Sequence, residues 1–170
     1  AHVFRTFQGW TALTEQGPND GTLQLIPIAK GMAYVLTRAL LDDVPENELC
    51  GSKAGKALSI NEKYHSLLLE GLISIPKMYP GDTIWWHPDV VHAVEEKHMG
   101  KTFSNVIYVG ATPYCKKNID YIKKQSKKFI EGKSPPDFAA EDYEVNYKDR
   151  VTINDLSELA KKQLGLVDWN

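Results

Sequence analysis

Cysteine is nearly missing. Cys50 and Cys115 are the only two in 170 residues, far apart and in no metal-like spacing, which excludes a site built from paired thiolates. They could pair in an oxidising compartment, but the expectation is two thiols of a cytoplasmic protein. Net charge is small as well, −2 with a pI near 6.2, so there is no electrostatic footprint for a nucleic-acid partner. No apolar run approaches the roughly 20 residues that a membrane helix needs, and the opening residues do not read as a charged-then-apolar signal. No Gly-x-Ser-x-Gly elbow, phosphate loop, dinucleotide fingerprint or His-Glu-x-x-His appears. An initiator Met is missing too. The chain opens "AHVFRTFQGWTAL", straight into a strand pattern, so the expectation is a truncated or processed piece of a longer polypeptide.

What is present is ordinary globular material, 42% hydrophobic and 25% charged, enough for one domain with a real core. Val3 to Leu13 is aromatic and β-rich. "TEQGPNDG" has the chemistry of a tight loop, and "TLQLIPI" returns as a second strand, which predicts an antiparallel hairpin. The period then changes: Met32, Val35, Leu36, Ala39 and Leu40 predict an amphipathic helix over 31–41. Residues 42–56 form a polar excursion. Asn61 is a candidate N-cap for a helix over 62–70, with Leu67 and Leu68 on its apolar side. From Leu72 the chain is β again: "LISIPKM", a turn at Pro80-Gly81, "TIWWH", "HAVEE" and "TFSNVIYVGAT". Short antiparallel strands at these spacings predict a sandwich or barrel of jelly-roll type.

The tail reads differently. Residues 118–132 predict a basic helix whose Lys123, Lys124, Lys127 and Lys128 form a solvated face rather than a binding patch. A last helix is expected from Asn154 as N-cap to Leu164, with Leu156, Leu159 and Ala160 facing in. The expected organisation is a β-rich domain over 1–113, with a helical insert at about 30–70, followed by a helical extension over 114–170.

Three of the five histidines fall in "YPGDTIWWHPDVVHAVEEKHMGK". Two histidines and a carboxylate on one face, with open positions left over, suit a non-haem iron centre. His87, Asp89 and His92 could supply that set locally. Residues two apart on a strand share a face about 6–7 Å apart, so this would need Pro88 to bend the chain and His92 to curl back within three residues. His92 alone, delivered by a corner to the mouth of a sandwich, is the better ligand. The bland alternative is a hydrogen-bonded corner histidine. His65 reads as surface or packing, His98 as solvated, and His2 stands at the start of the chain. Trp10, Trp85 and Trp86 could line a pocket, though strand aromatics are more often core.

"FRTFQGWTAL…GTLQLIPIAKGMAYVLTRALLDDVPENELCG" and "IPKMYPGDTIWWHPDVVHAVEE" closely resemble the YbiU-like family of microbial proteins, as do "YCKKN" and "SPPDFAAEDYEVNYKDR" further on. That family is regarded as a relative of phytanoyl-CoA dioxygenase, within the Fe(II)/2-oxoglutarate oxygenases. The resemblance implies a double-stranded β-helix, or jelly-roll, here incomplete. It implies Fe(II) held by His92, in "PGDTIWWHPDVVH", and by a His and an Asp upstream. It further implies 2-oxoglutarate as co-substrate and hydroxylation of a small molecule. "GWTAL" is similar to the segment whose Trp borders the 2-oxoglutarate pocket, which nominates Trp10. Family members are longer at the N-terminus and carry a His-Val-Asp there, so the chain resembles their C-terminal half and is expected to be inactive alone.

Two departures follow. Where an Arg usually grips 2-oxoglutarate, about ten residues after the metal-binding His, this chain has Lys101 and Thr102. A lysine supplies a point charge but not a fork. Val94 stands where a small hydroxyl residue is usual. The alternatives are a non-catalytic jelly-roll that binds small molecules, or a cupin-like metal enzyme using His87, Asp89 and His92 without 2-oxoglutarate. The oxygenase reading expects the His92 ring to point inward near Trp10, with His87 on a different face.

Overall fold

The computed structural model describes residues 3–53, 58–137, 139–141 and 143–169. His2 and part of the polar excursion lie outside them. The chain divides into two units, one of residues Arg5–Ala111 and one of Ala1–Phe4 with Thr112–Asn170.

Among its described residues the first unit carries six strands, β1 (Phe7–Ala12), β2 (Leu23–Leu25), β3 (Ile73–Ser74), β4 (Thr83–Trp86), β5 (His92–Val94) and β6 (Val106–Ala111), and two α-helices, α1 (Ala29–Arg38) and α2 (Glu62–Leu69). All pairings are antiparallel, in two three-stranded sheets ordered β4-β1-β6 and β3-β2-β5. The hairpin expected between β1 and β2 does not form, because the two strands belong to different sheets. Their connection has its own partners. Gln16 exchanges backbone hydrogen bonds with Met78, and its buried side chain accepts from Thr22 Oγ1 at 3.1 Å. These bonds hold the segment across the gap between sheets instead of folding it into a turn.

Alternation along β1 puts Trp10 and Ala12 inward. They join Trp86 of the same sheet, Leu23 of the other, and Ile75 and Met78 in one buried cluster. Trp10 is only 4% exposed. Side chains of this kind stabilise by about 1.5–3 kcal/mol each when fully buried.

The helices follow their local signals with a shifted face. α1 buries Gly31, Val35 and Arg38, leaving Leu36 and Leu40 exposed. Arg38 takes an apolar position because each of its three nitrogens has a partner: Nη1 and Nη2 pair with Asp43 at 2.8 and 2.6 Å, and Nε donates to the Tyr64 carbonyl at 2.8 Å. Asn61 caps α2, its side chain accepting from Tyr64 N–H at 3.1 Å. Leu68 is buried as expected, but Leu67 is 69% exposed; Tyr64 and His65 complete the buried face.

In the second unit, α3 (Lys116–Glu131) ends at Gly132, whose φ of 69° is the left-handed turn that glycine makes without a Cβ penalty. Lys123, Lys124 and Lys127 are exposed on it. The last helix begins later than expected. Thr152 and Asp155 form a capping box around a single 3₁₀ turn, Ile153–Asp155. Leu156 then turns extended, and Ser157 caps α4 (Glu158–Gln163), accepting from Ala160 N–H at 3.2 Å. Two caps close together split one predicted helix in two, and Leu159 ends up exposed. Among the described residues no helix is long and apolar enough to cross a membrane.

Candidate functional site

β5 is a short strand at the edge of its sheet, paired among the described residues with β2. His92 stands opposite Leu25, and Val94 opposite Leu23. Directly opposed residues share a face, and Leu23 belongs to the core, so His92 projects on the core side of its sheet, at the open edge. Its ring lies against Trp86 of the other sheet, with centroids 5.6 Å apart and planes tilted by 58°. The tryptophan it meets is therefore Trp86; Trp10 is enclosed in the core beside it, and the His92 side chain is exposed rather than sealed in.

The hydrogen bonds of His92 fix its tautomer. Nδ1 lies 2.7 Å from the Val90 carbonyl, which can only accept, so Nδ1 carries the hydrogen. Nε2 is left as an acceptor, and the Gln8 amide nitrogen lies 3.3 Å from it. An imidazole held by a backbone carbonyl at Nδ1, with Nε2 left as the acceptor, is the tautomer in which histidine meets a metal, and here the Gln8 amide takes that lone pair. Gln8 is itself reached by Arg5, whose Nη1 donates to Oε1 at 3.3 Å.

His87 lies elsewhere. Its ring packs edge-on against Phe7, centroids 6.0 Å apart, and Phe7 projects from the opposite face of β1 to Gln8. Its Nδ1 accepts from Asp89 N–H at 3.2 Å, and the Asp89 carboxylate is 3.7 Å away. His87 and Asp89 thus form a local turn, and His92 is not brought to it. Among the described residues no three His, Cys, Asp or Glu side chains are grouped to hold a metal ion. Among the described residues His92 thus stands as a single imidazole, without a grouped set of metal donors around it.

Lys101 and Thr102 are exposed in the bend ahead of β6. Cys50 and Cys115 are both free. His98 is exposed and Asp20 bridges to it by backbone, while His65 is wholly buried, its Nδ1 accepting from Asn61 N–H at 3.2 Å. A cavity of about 190 Å³ lies in the second unit between Phe129, Pro135, Arg150 and Leu164; Lys128 of the basic helix lines it, and none of the candidate metal or co-substrate residues does.

Sequence reasoning missed Glu95. Its carboxylate accepts from the backbone N–H groups of Asn19 and Gly21, both at 3.0 Å, from Thr22 N–H at 3.3 Å, and from the Ser74 hydroxyl. Burial pushes its pKa up, but these hydrogen bonds together outweigh it and hold the carboxyl below its ordinary value. The signal was the unsatisfied backbone of "NDGT", which needs an acceptor from somewhere.

The Gig2-like family model matches residues 1–166, and the chain belongs to that family. It is 49% identical to the uncharacterised protein YbiU of Escherichia coli K12 over 96% of its length, covering 39% of YbiU. A Salmonella typhimurium LT2 crystal structure, described as a candidate oxidoreductase, superposes with a TM-score of 0.89 at 47% identity, over 97% of this chain and 40% of that one. The GlcNAc-inducible gene 2 product of Candida albicans is 29% identical with a TM-score of 0.84, over 99% of this chain and 42% of that one. The chain thus spans about two-fifths of the length of these relatives.

Proposed function

We propose that the chain is the C-terminal part of an oxidoreductase of the Fe(II)/2-oxoglutarate oxygenase type, in which His92 is one imidazole ligand of the metal. The observation that carries this reading is the tautomer of His92, with Nδ1 tied to Val90 and Nε2 presented at the edge between the sheets. The oxidoreductase description of the Salmonella relative supports it. The two antiparallel sheets are those of an incomplete jelly-roll in this reading, and the remaining ligands, a His and a carboxylate, come from the larger part of the full-length protein. Such an enzyme couples oxidative decarboxylation of 2-oxoglutarate to hydroxylation of a C–H bond in a small organic substrate. What the described residues of this chain do is hold that imidazole: Val90 sets the tautomer, Trp86 backs the ring, and Gln8 occupies the lone pair.

The test uses Mn(II) and a protein of the relatives' full length. Broadening of the His92 ring signals by Mn(II), with 2-oxoglutarate-dependent O₂ consumption that His92→Ala abolishes, supports the reading. Metal binding with no response to 2-oxoglutarate favours a metal enzyme of another kind. If Mn(II) leaves the His92 signals untouched, a non-catalytic small-molecule-binding domain is the better description.

A further inference from the structure

We infer that the cavity of the second unit is a binding site for a small aromatic monocarboxylate, with Lys128 and Arg150 as the groups that receive its charge. The cavity, of about 190 Å³, is lined from the C-terminal half of α3, the loop that follows it, and the ends of the chain's last segments. Phe129, Pro135, Val151 and Leu164 supply an apolar lining. A dry apolar cavity of about 150 Å³ takes a benzene ring, so this one has room for a ring that carries one small polar group.

The charges around the cavity select the polar group. Lys128 leaves the solvated face expected of the basic helix: it is half-buried where Lys123, Lys124 and Lys127 are exposed. Lys127 and Lys133 both pair with Glu131, at 3.9 and 3.0 Å. None of the ion pairs among the described residues takes up Lys128, so its stem covers apolar surface while its charge is left to a ligand. Arg150 is half-buried too, and it is held in place. Its Nη2 donates to the Ile130 carbonyl at 3.1 Å, and the guanidinium packs so closely on Gly132 that a Cβ there would overlap Nη1. A cation fixed in advance loses little freedom when an anion arrives. Among the described lining residues Lys128, Lys133 and Arg150 stand against Glu144. With Lys133 already paired to Glu131, one positive charge is in surplus. That balance suits a monocarboxylate rather than a phosphate dianion, and ammonium and guanidinium both give it charge-assisted hydrogen bonds. The site stands apart from His92 and needs no metal, so it does not depend on the oxygenase reading.

The experiment follows the Val and Leu methyl resonances of a methyl-labelled protein of the relatives' full length, in metal-free buffer. Benzoate is the probe; benzamide supplies the ring without the charge, and acetate and phosphate supply charge without the ring. The methyl signals of Leu164, assigned by their loss in Leu164→Met, are expected to move saturably with benzoate and much less with the other three. Lys128→Met should weaken benzoate binding about fivefold or more while leaving benzamide unchanged. Leu164→Phe, which fills the cavity, should abolish the response; Val151→Phe, at a more exposed position, takes its place if that variant loses its dispersed spectrum. Leu164 signals that stay still with benzoate overturn the inference. So does a response of equal strength to benzamide, or one that survives unchanged in Lys128→Met or in the cavity-filling variant.

Discussion

Glu95 and Gly21, separated by 74 residues in sequence, are joined by a hydrogen bond of 3.0 Å from the Gly21 N–H to the Glu95 carboxylate. With Asn19, Thr22 and Ser74 on the same carboxylate, one side chain three residues after His92 ties the loop between β1 and β2 to the strand that carries the candidate ligand. Glu95→Ala should cost about 2–3 kcal/mol in urea denaturation, since hydrogen bonds to a charged group are worth about 1.5–3 kcal/mol each and some are recovered by water. The folded pKa of Glu95 is depressed, so its contribution is full above the unfolded value of about 4.5 and is lost as pH falls below it. Glu95→Gln should flatten that acid limb.

His65 predicts a second pH effect, at higher pH. Burial holds its pKa below the ordinary 6.5; hydrogen bonding with the Asn61 backbone works against this, and nearby Arg38 adds to it. The unfolded chain takes up a proton below about pH 6.5 while the folded chain does not, so stability is full above that pH and declines as pH falls through it. Comparing denaturation midpoints at pH 5.5 and 7.5 should show a smaller difference in His65→Leu than in the parent.

Gly9→Ala is expected to be severe. A Cβ there would meet the Ile84 carbonyl oxygen and sit 2.8 Å from Trp85 Cδ2, so β1 and β4 could not keep their register. The cost should reach about 2–4 kcal/mol in thermal or urea melts. Gly81→Ala has open space instead, and only the φ of 96° to oppose it, for about 1 kcal/mol.

Asn61 acts with both ends of its amide, accepting from Tyr64 N–H and donating to the Cys50 carbonyl at 3.1 Å. Asn61→Ala should destabilise by about 1–2 kcal/mol, in the range of lost N-caps. Asn61→Asp keeps the cap and loses only the donation to Cys50, so its loss should be under about 1 kcal/mol in the same assay.

The features legible in the sequence are those that short-range chemistry decides. The Asn61 cap was readable because a side-chain oxygen reaches an N–H three residues on whatever lies around it. The turn at Gly81 and the stop at Gly132 were readable because both need positive φ. Where two local signals competed, as between Asn154 and Ser157, spacing alone did not choose. The face of α2 was half legible: Leu68 faces in, while Leu67 gives way to His65 and Tyr64, whose polar atoms find partners that no helical period shows.

The pairing of strands lay outside local reach. β1 and β2 look like a hairpin, yet each obtains its hydrogen bonds from strands 48 or more residues away, as from Ile73 to Leu25, from Trp86 to Gln8 and from His92 to Leu25. His92 was nominated from its own segment. Its neighbours Gln8 and Arg5 were not, because nothing at 5 or 8 announces a histidine at 92. Sequence by itself determined the Asn61 cap, the turn at Gly81 and the stop at Gly132, since those depend on a residue and its near neighbours; of His92 it supplied only the nomination. Tertiary structure alone decided which face of the sheet that imidazole takes, which tautomer it holds and which donors surround it, because burial and long-range hydrogen bonding are properties of the assembled chain.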